Sequence, residues 1–316
     1  MVYIESVFHP EIADQALQCF GISDPTFGDP IFGSNAVVKV TSPEGSFALR
    51  LHRPSRLSTK IERELNFVDK LQATGTVRVP RPIRSITGQY CCSLVHDGDD
   101  VRCSLLSWIE GESRTPGRGF GIETARKAGI ALGEVHHYSQ SLPPIAPETD
   151  DLRLSRRVLE GDAVILSRLP ELASPINELK RRMLEILDIY PAVGLIHGDF
   201  ILKNLLCHPC GLGVLDFDDS IVEHYVLDFA GMLENLSQVP NERALRRVFL
   251  EGYASTGHDV RHVDQYQQTL IALRHHAGIA WAIGMVAEQR ISEDYFRRVT
   301  QHRASEIMRL MAHDPA

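Results

Sequence analysis

The chain has 316 residues and a net charge of −8, with 43% hydrophobic and 23% charged residues. That profile excludes a disordered chain, and the length calls for one large domain or two lobes rather than one small core. The acidic balance weighs against a nucleic-acid partner, which needs a basic face, and would suit a cationic or amino-bearing one.

Residues 1–15 hold neither a basic nor an apolar run, so no export signal is expected. Two strand-like runs, 35–40 and 46–51, flank the turn-forming Ser42-Pro43-Glu44-Gly45 and predict a β-hairpin. A helix is predicted over 58–71 from Ile61, Leu65, Val68 and Leu71 at three- and four-residue steps, with Ser58 as N-cap and Gly75 as stop. Pro80 and Pro82 break that pattern ahead of strand-like 90–95 and 102–109. From about residue 122 the pattern turns helical, over 122–138 and 176–189. Residues 141–175, rich in Pro, Asp and Arg, read as a variable insertion.

A strand–loop–strand unit follows at 195–217, and then helices to the C-terminus. The longest apolar stretch, residues 277–287, is too short to span a bilayer and is expected to be a buried helix, so no membrane partner is expected. Six scattered cysteines without an export signal read as reduced thiols of a cytoplasmic protein. The fold class expected is α+β, with a β-rich lobe of one main helix over 1–107 and a mostly helical lobe over 108–316.

The segment 195–219 carries the chemistry. It holds His197, Asp199 and Asn204, then Asp216 and Asp218. Phosphoryl transfer passes through a loose transition state, so an enzyme chiefly needs metal ions to neutralise phosphate oxygens and a carboxylate to orient the attacking hydroxyl. Mg²⁺ takes oxygen ligands, carboxylate and amide oxygens among them. Asp199 fits the base, and Asn204 and Asp216 fit the metal ligands. Two short strands joined by 207–213 would bring the three together.

The order H-G-D-F-x-x-x-N followed by V-L-D-F-D resembles the catalytic loop and metal motif of the aminoglycoside phosphotransferase/choline kinase-like superfamily, small-molecule relatives of the protein kinases. Gly198 stands where protein kinases have Arg, and Asp218 where they have Gly. The resemblance implies a bilobal, protein-kinase-like fold with ATP and Mg²⁺ as cofactors. It also implies several binding roles. Gly33, Ser34 and Asn35 would form the loop over the ATP phosphates. Arg50 would contact phosphate with Glu64 as its partner, and backbone groups near Ser107 and Ile109 would meet adenine.

The resemblance runs from about Gly33 to Glu251. Residues 45–54 and 214–219 are most similar to the branch with the stress-response Ser/Thr kinase and type II homoserine kinase-like proteins. It implies transfer of the γ-phosphate of ATP to a hydroxyl of a small molecule, an amine-bearing one of the aminoglycoside, homoserine or choline kind included. The alternatives are a protein Ser/Thr kinase of the bacterial stress-response type and a nucleotide-binding pseudokinase.

Other residues divide between chemistry and packing. Asp228 reads as an N-cap or a brace for the catalytic loop, and Lys203 as solvent-facing or a phosphoryl contact. Acidic Asp150, Asp151, Glu223 and Glu288 are candidates to line an acceptor site. Cys207 and Cys210 lie in a turn between strands and lack the second ligand pair that structural zinc needs. His136, His137, His275 and His276 read as packing or surface histidines, and Arg274 and Trp281 as braces between C-terminal helices. Oligomeric state leaves no mark in the sequence.

Overall fold

The computed structural model describes residues 10–33, 35–96, 98–114, 119–143 and 154–312. They divide into two compact units, Met1–Gly111 with Gly213–Asp218 and Glu112–Leu212 with Asp219–Ala316. The short return segment that carries Asp216 and Asp218 thus belongs to the first unit, which a single cut after residue 107 leaves out.

The first unit contains α1 (Pro10–Cys19), β1 (Thr26–Phe27), β2 (Ile31–Phe32), β3 (Ala36–Ser42), β4 (Gly45–Leu51), α2 (Ser58–Thr74), β5 (Pro82–Ile83), β6 (Cys91–His96) and β7 (Asp99–Ser107). Its sheet runs β1-β3-β4-β7-β5, with β2 paired to β3 and β6 to β7. The hairpin forms as the alternation predicts, with Ala36 opposite Leu51 and Ser42 opposite Gly45. Period-2 side chains Val38, Val40, Leu49 and Leu51 then share one core with Ile12, Ala16 and Leu17 of α1. The sequence reading did not anticipate α1, whose apolar residues fill barely two turns.

Helix α2 starts at Ser58, but Leu57 is the N-cap and makes no side-chain cap bond, so Ser58 does not play the expected role. Gly75 ends the helix in the left-handed region, at φ 70. Glu64 lies in the buried stripe with Ile61, Leu65 and Val68. A carboxylate there demands partners.

The second unit begins with β8 (Glu112–Ser113), α3 (Ile122–Ser141), α4 (Leu154–Glu160), α5 (Ala163–Arg168) and α6 (Ala173–Ile189). Next come β9 (Val193–Ile196), β10 (Leu205–His208) and β11 (Gly211–Val214), the last returning the chain to the first unit. After β12 (Ile221–His224) come α7 (Phe229–Ser237), α8 (Glu242–Ala254), α9 (Gln267–Ala287) and α10 (Glu293–Ala312). Strands β9 and β12 pair antiparallel and frame the catalytic-loop segment. The α+β class is as expected: a sheet-rich first unit with one main helix, and a helical second unit.

The apolar helix is longer than the eleven-residue run suggested. With the turn before it, Asp264–Ala287 is long and apolar enough to cross a membrane, yet more than half of its most apolar 18-residue window is buried inside the protein. It packs on α7 and α10 as a core helix. Arg274, His275 and His276 interrupt its apolar run without ending the helix.

Candidate active site

In the first unit, β4 carries Arg50 into a closed set of charges. Its Nη1 donates to Glu64 Oε1 at 2.7 Å and its Nη2 to Asp218 Oδ1 at 3.2 Å. Arg56 closes the set, with Nη2 3.1 Å from Glu64 Oε2 and Nε 3.2 Å from Asp218 Oδ1. Two guanidinium and two carboxylate groups therefore alternate, all nearly buried. Burial alone would weaken the charge on Arg50, but Glu64, Asp218 and Asp216 outweigh it and hold its pKa above the ordinary value. Burial likewise opposes ionisation of Asp218, and Arg56 and Arg50 overcome it, so its pKa lies below the usual carboxylate range. His52, bonded through Nε2 to Ser104 Oγ at 2.8 Å, is kept neutral by burial and by Arg50.

This network makes a stability prediction. Asp218→Asn leaves two buried cations short of a counter-charge, which should cost about 3–5 kcal/mol at pH 7. Because the folded-state pKa of Asp218 is depressed, its contribution is complete above the unfolded value of about 3.9 and is lost as pH falls further. Thermal melts should show the gap between wild type and Asp218→Asn at pH 7 narrowing below about pH 4. A constant gap would show that the ionised carboxylate is not what stabilises.

Asp216, two residues away, has φ 64, a left-handed backbone that Asp tolerates better than most residues. Asn35 is buried, and its Oδ1 accepts from Arg53 N–H at 3.4 Å, which ties the loop to the end of β4. Gly33 N–H donates to Asn35 O at 2.9 Å, and Ser34 lies outside the described residues. Ser107 N–H is committed to Arg81 O at 2.8 Å, while Trp108 N–H goes to Ser46 O at 2.9 Å. Ile109 N–H meets no backbone acceptor among the described residues.

In the second unit, the loop after β9 is held from beneath by Asp228. Its carboxylate accepts His197 N–H at 2.7 Å and Gly198 N–H at 2.8 Å. The brace reading of Asp228 holds; its side chain makes no cap bond to α7. His136 Nε2 lies 3.0 Å from the same carboxylate, and its Nδ1 lies 2.8 Å from Tyr253 Oη. His136 therefore does more than pack. Gly198 has φ 82, and a Cβ there would sit 2.1 Å from Asp219 O, so any side chain would push the loop off its support.

Asp199 is set by three neighbours. Asn204 Nδ2 donates to its Oδ2 at 3.1 Å and to its backbone O at 2.9 Å. Arg274 of α9 donates to its Oδ1 at 2.6 Å. Lys203 stands 3.8 Å from Oδ2 but is mostly exposed, which leaves it free to swing. Arg274 thus corrects the sequence reading: it grips the carboxylate of the loop rather than bracing helices, while Trp281 is 42% exposed. Arg274→Met, which keeps the stem and removes the fork, should lower turnover about 10–100-fold by freeing Asp199. A steady-state rate equal to wild type would remove Arg274 from that positioning.

Two of the four acidic residues expected to line an acceptor site fall among the described residues. Glu223 is fully buried and accepts from Ser155 Oγ at 2.8 Å and from His224 N–H at 2.9 Å, a structural role. Glu288 is exposed at the end of α9, 3.8 Å from Arg290. Asp150 and Asp151 lie outside the described residues. Pro209 and Cys210 form the turn between β10 and β11, and Cys207 and Cys210 are free thiols.

Residues 33–263 match the family model described as phosphotransferase enzyme family, APH. The chain belongs to that family. It is an enzyme of the kinase kind, which phosphorylates a hydroxyl group. No curated protein matches it in sequence. Solved structures are similar over nearly the whole chain. One is a microcompartment-associated aminopropanol kinase, with a TM-score of 0.73, 21% identity and coverage of 96% of both chains. An amicoumacin kinase in complex with AMP-PNP and Ca²⁺ gives a TM-score of 0.74 at 17% identity, covering 96% of this chain and 94% of that one. A choline kinase from Cryptosporidium parvum gives 0.65 at 14% identity, covering 95% of each. At these identities the likeness establishes the protein-kinase-like fold.

Proposed function

We propose that this phosphotransferase moves the γ-phosphate of ATP, bound as its magnesium complex, onto a hydroxyl of a small molecule. The observation that carries the reading is the anchoring of Asp199. Its carboxylate is fixed by Arg274 and Asn204 in a loop whose N–H groups end on Asp228. A carboxylate so held can orient a hydroxyl and take its proton.

The donor chemistry fits magnesium. Asn204 turns Nδ2 toward Asp199, which leaves its amide oxygen as the ligand atom. Asn204 and Asp216 are the magnesium ligands we assign. Among the described residues no three His, Cys, Asp or Glu side chains cluster as a metal site. Magnesium bound to a nucleotide needs only one or two side chains, the rest being phosphate oxygens and water. When bound it neutralises charge on the phosphoryl oxygens.

Arg50, pre-oriented by Glu64 and Asp218, is assigned to the ATP phosphates, together with Gly33, Ser34 and Asn35. The Ile109 N–H and the Ser107 carbonyl are assigned to adenine. Six free thiols suit the reducing cytoplasm in which we place the enzyme.

The test is incubation of the full chain with labelled ATP alone, with proteins, and with a panel of hydroxyl compounds. Label in a small product, dependent on magnesium, is the expected result. Label in protein bands would move the assignment to a protein Ser/Thr kinase. Nucleotide binding without turnover would leave a pseudokinase.

A further inference from the structure

A cavity of about 320 Å³ opens in the second unit among α7, α9 and α10, lined by Glu234, His275, Tyr295, Arg298, His302 and Arg303. It neighbours the catalytic loop. Asn235, beside Glu234 on α7, takes the Leu202 N–H at 2.9 Å, and Arg303 is close enough to Arg274 and Asp199 to feel both charges.

The polarity of the cavity is opposite to what a cationic acceptor needs. Glu234 is the one acid in its lining, and its oxygens already accept from Asn235 Nδ2 at 2.9 Å and Gln238 Nε2 at 2.8 Å. Arg298 and Arg303 bring two cations. Among the described residues Arg303 has no ion pair, and its Nη1 is buried without a hydrogen-bond partner. Burial and the charge of Arg274 push its pKa below the arginine range.

His275 is 4% exposed, and its Nδ1 is likewise buried and unpartnered. Burial, with Arg303 nearby, pushes its pKa to about 4, so at neutral pH it offers a neutral imidazole for hydrogen bonding. The backbone of α9 makes room for the cation: a Cβ on Gly278 would lie 2.4 Å from Arg303 Cζ. A guanidinium brought against a helix at a glycine, with Glu234 and Asp199 acting on it only from beyond ion-pair distance, is costly unless a closer anion completes it.

We propose, on the phosphotransferase reading above, that this cavity seats the acceptor by an anionic oxygen group, carboxylate or phosphate, held on Arg303 and hydrogen-bonded to His275. The substrate is then a hydroxylated acid rather than an amino alcohol. Its hydroxyl oxygen attacks the γ-phosphorus, the bond to the β–γ bridging oxygen breaks, ADP leaves, and the hydroxyl proton passes to Asp199.

The full-length enzyme is assayed for ADP release with hydroxy acids such as homoserine and glycerate, with glycerol phosphate, with the amides of the acids, and with choline and aminopropanol. The expected order places one of the two anionic arms first, and that arm tells carboxylate from phosphate. Arg303→Met, which retains the packing stem, should lower the kcat/KM ratio of acid over amide by about 10–100-fold. Arg303→Lys should restore part of it. Separately, malonate should shift the His275 imidazole resonances of the wild type but not of Arg303→Met. Amino alcohols as the best acceptors, an unchanged ratio in Arg303→Met, or His275 resonances indifferent to malonate would each overturn the proposal. ADP release with no acceptor at all would sink the kinase reading, while the malonate response still decides the anion site.

Discussion

Asp199→Ala should reduce turnover by at least ~10²-fold and leave ATP binding nearly intact. The carboxylate sits where two hydrogen-bond donors converge, Arg274 Nη2 at 2.6 Å and Asn204 Nδ2 at 3.1 Å, with the exposed Lys203 Nζ 3.8 Å away. Such convergence fixes orientation in advance, so that no reorganisation is needed when the acceptor arrives. In the proposed role Asp199 serves the acceptor side of the reaction and not the nucleotide, which is why kcat and nucleotide affinity should separate. Asp199→Asn is the stricter variant, since it keeps the shape and several of the hydrogen bonds while removing the base. Turnover within a few-fold of wild type in Asp199→Asn would assign the proton to another group.

Asp216→Ala should abolish magnesium-dependent ATP binding. A ligand at 100 times its Kd stabilises the folded state by about 2.7 kcal/mol, and that increment should vanish from thermal melts of the variant with ATP and magnesium. Alanine also removes the side chain best suited to φ 64, so Asp216→Asn is the informative partner. Asparagine accepts the left-handed backbone but carries no charge for the metal. A fold as stable as wild type without nucleotide, joined to a lost magnesium response, is expected for Asp216→Asn. A full magnesium response in that variant would reassign the ligand.

What the sequence made legible was local. The hairpin of β3 and β4 follows from alternation and its Pro-Glu-Gly turn, and α2 from its apolar spacing, ended at Gly75 as read. The catalytic loop was legible because His197, Asp199 and Asn204 lie within eight residues of one another. The supports of that loop were not. Arg274 reaches it from 75 positions away, and His136 reaches Asp228 across 92. No periodicity links such pairs, since each helix satisfies its own pattern without reference to the loop.

Arg56 escaped notice for the same reason. It joins Arg50, Glu64 and Asp218 only after β4, α2 and the return segment have folded together. The placement of charge was also hidden from the sequence. Glu223 reads in sequence as a candidate acid for an acceptor site, yet Ser155 and a backbone N–H draw it fully inside. Net charge of −8 describes the whole surface, whereas the cavity beside Arg303 is basic. The acceptor proposed above is read from that local field and not from the total.

Phosphorus NMR of the enzyme with ATP, magnesium and the acceptor panel tests the central claim most directly. A phosphomonoester resonance should grow in step with ADP in wild type and be absent with Asp199→Asn. Inorganic phosphate as the sole product, or the same ester resonance in Asp199→Asn, would contradict a hydroxyl phosphorylation organised by that carboxylate.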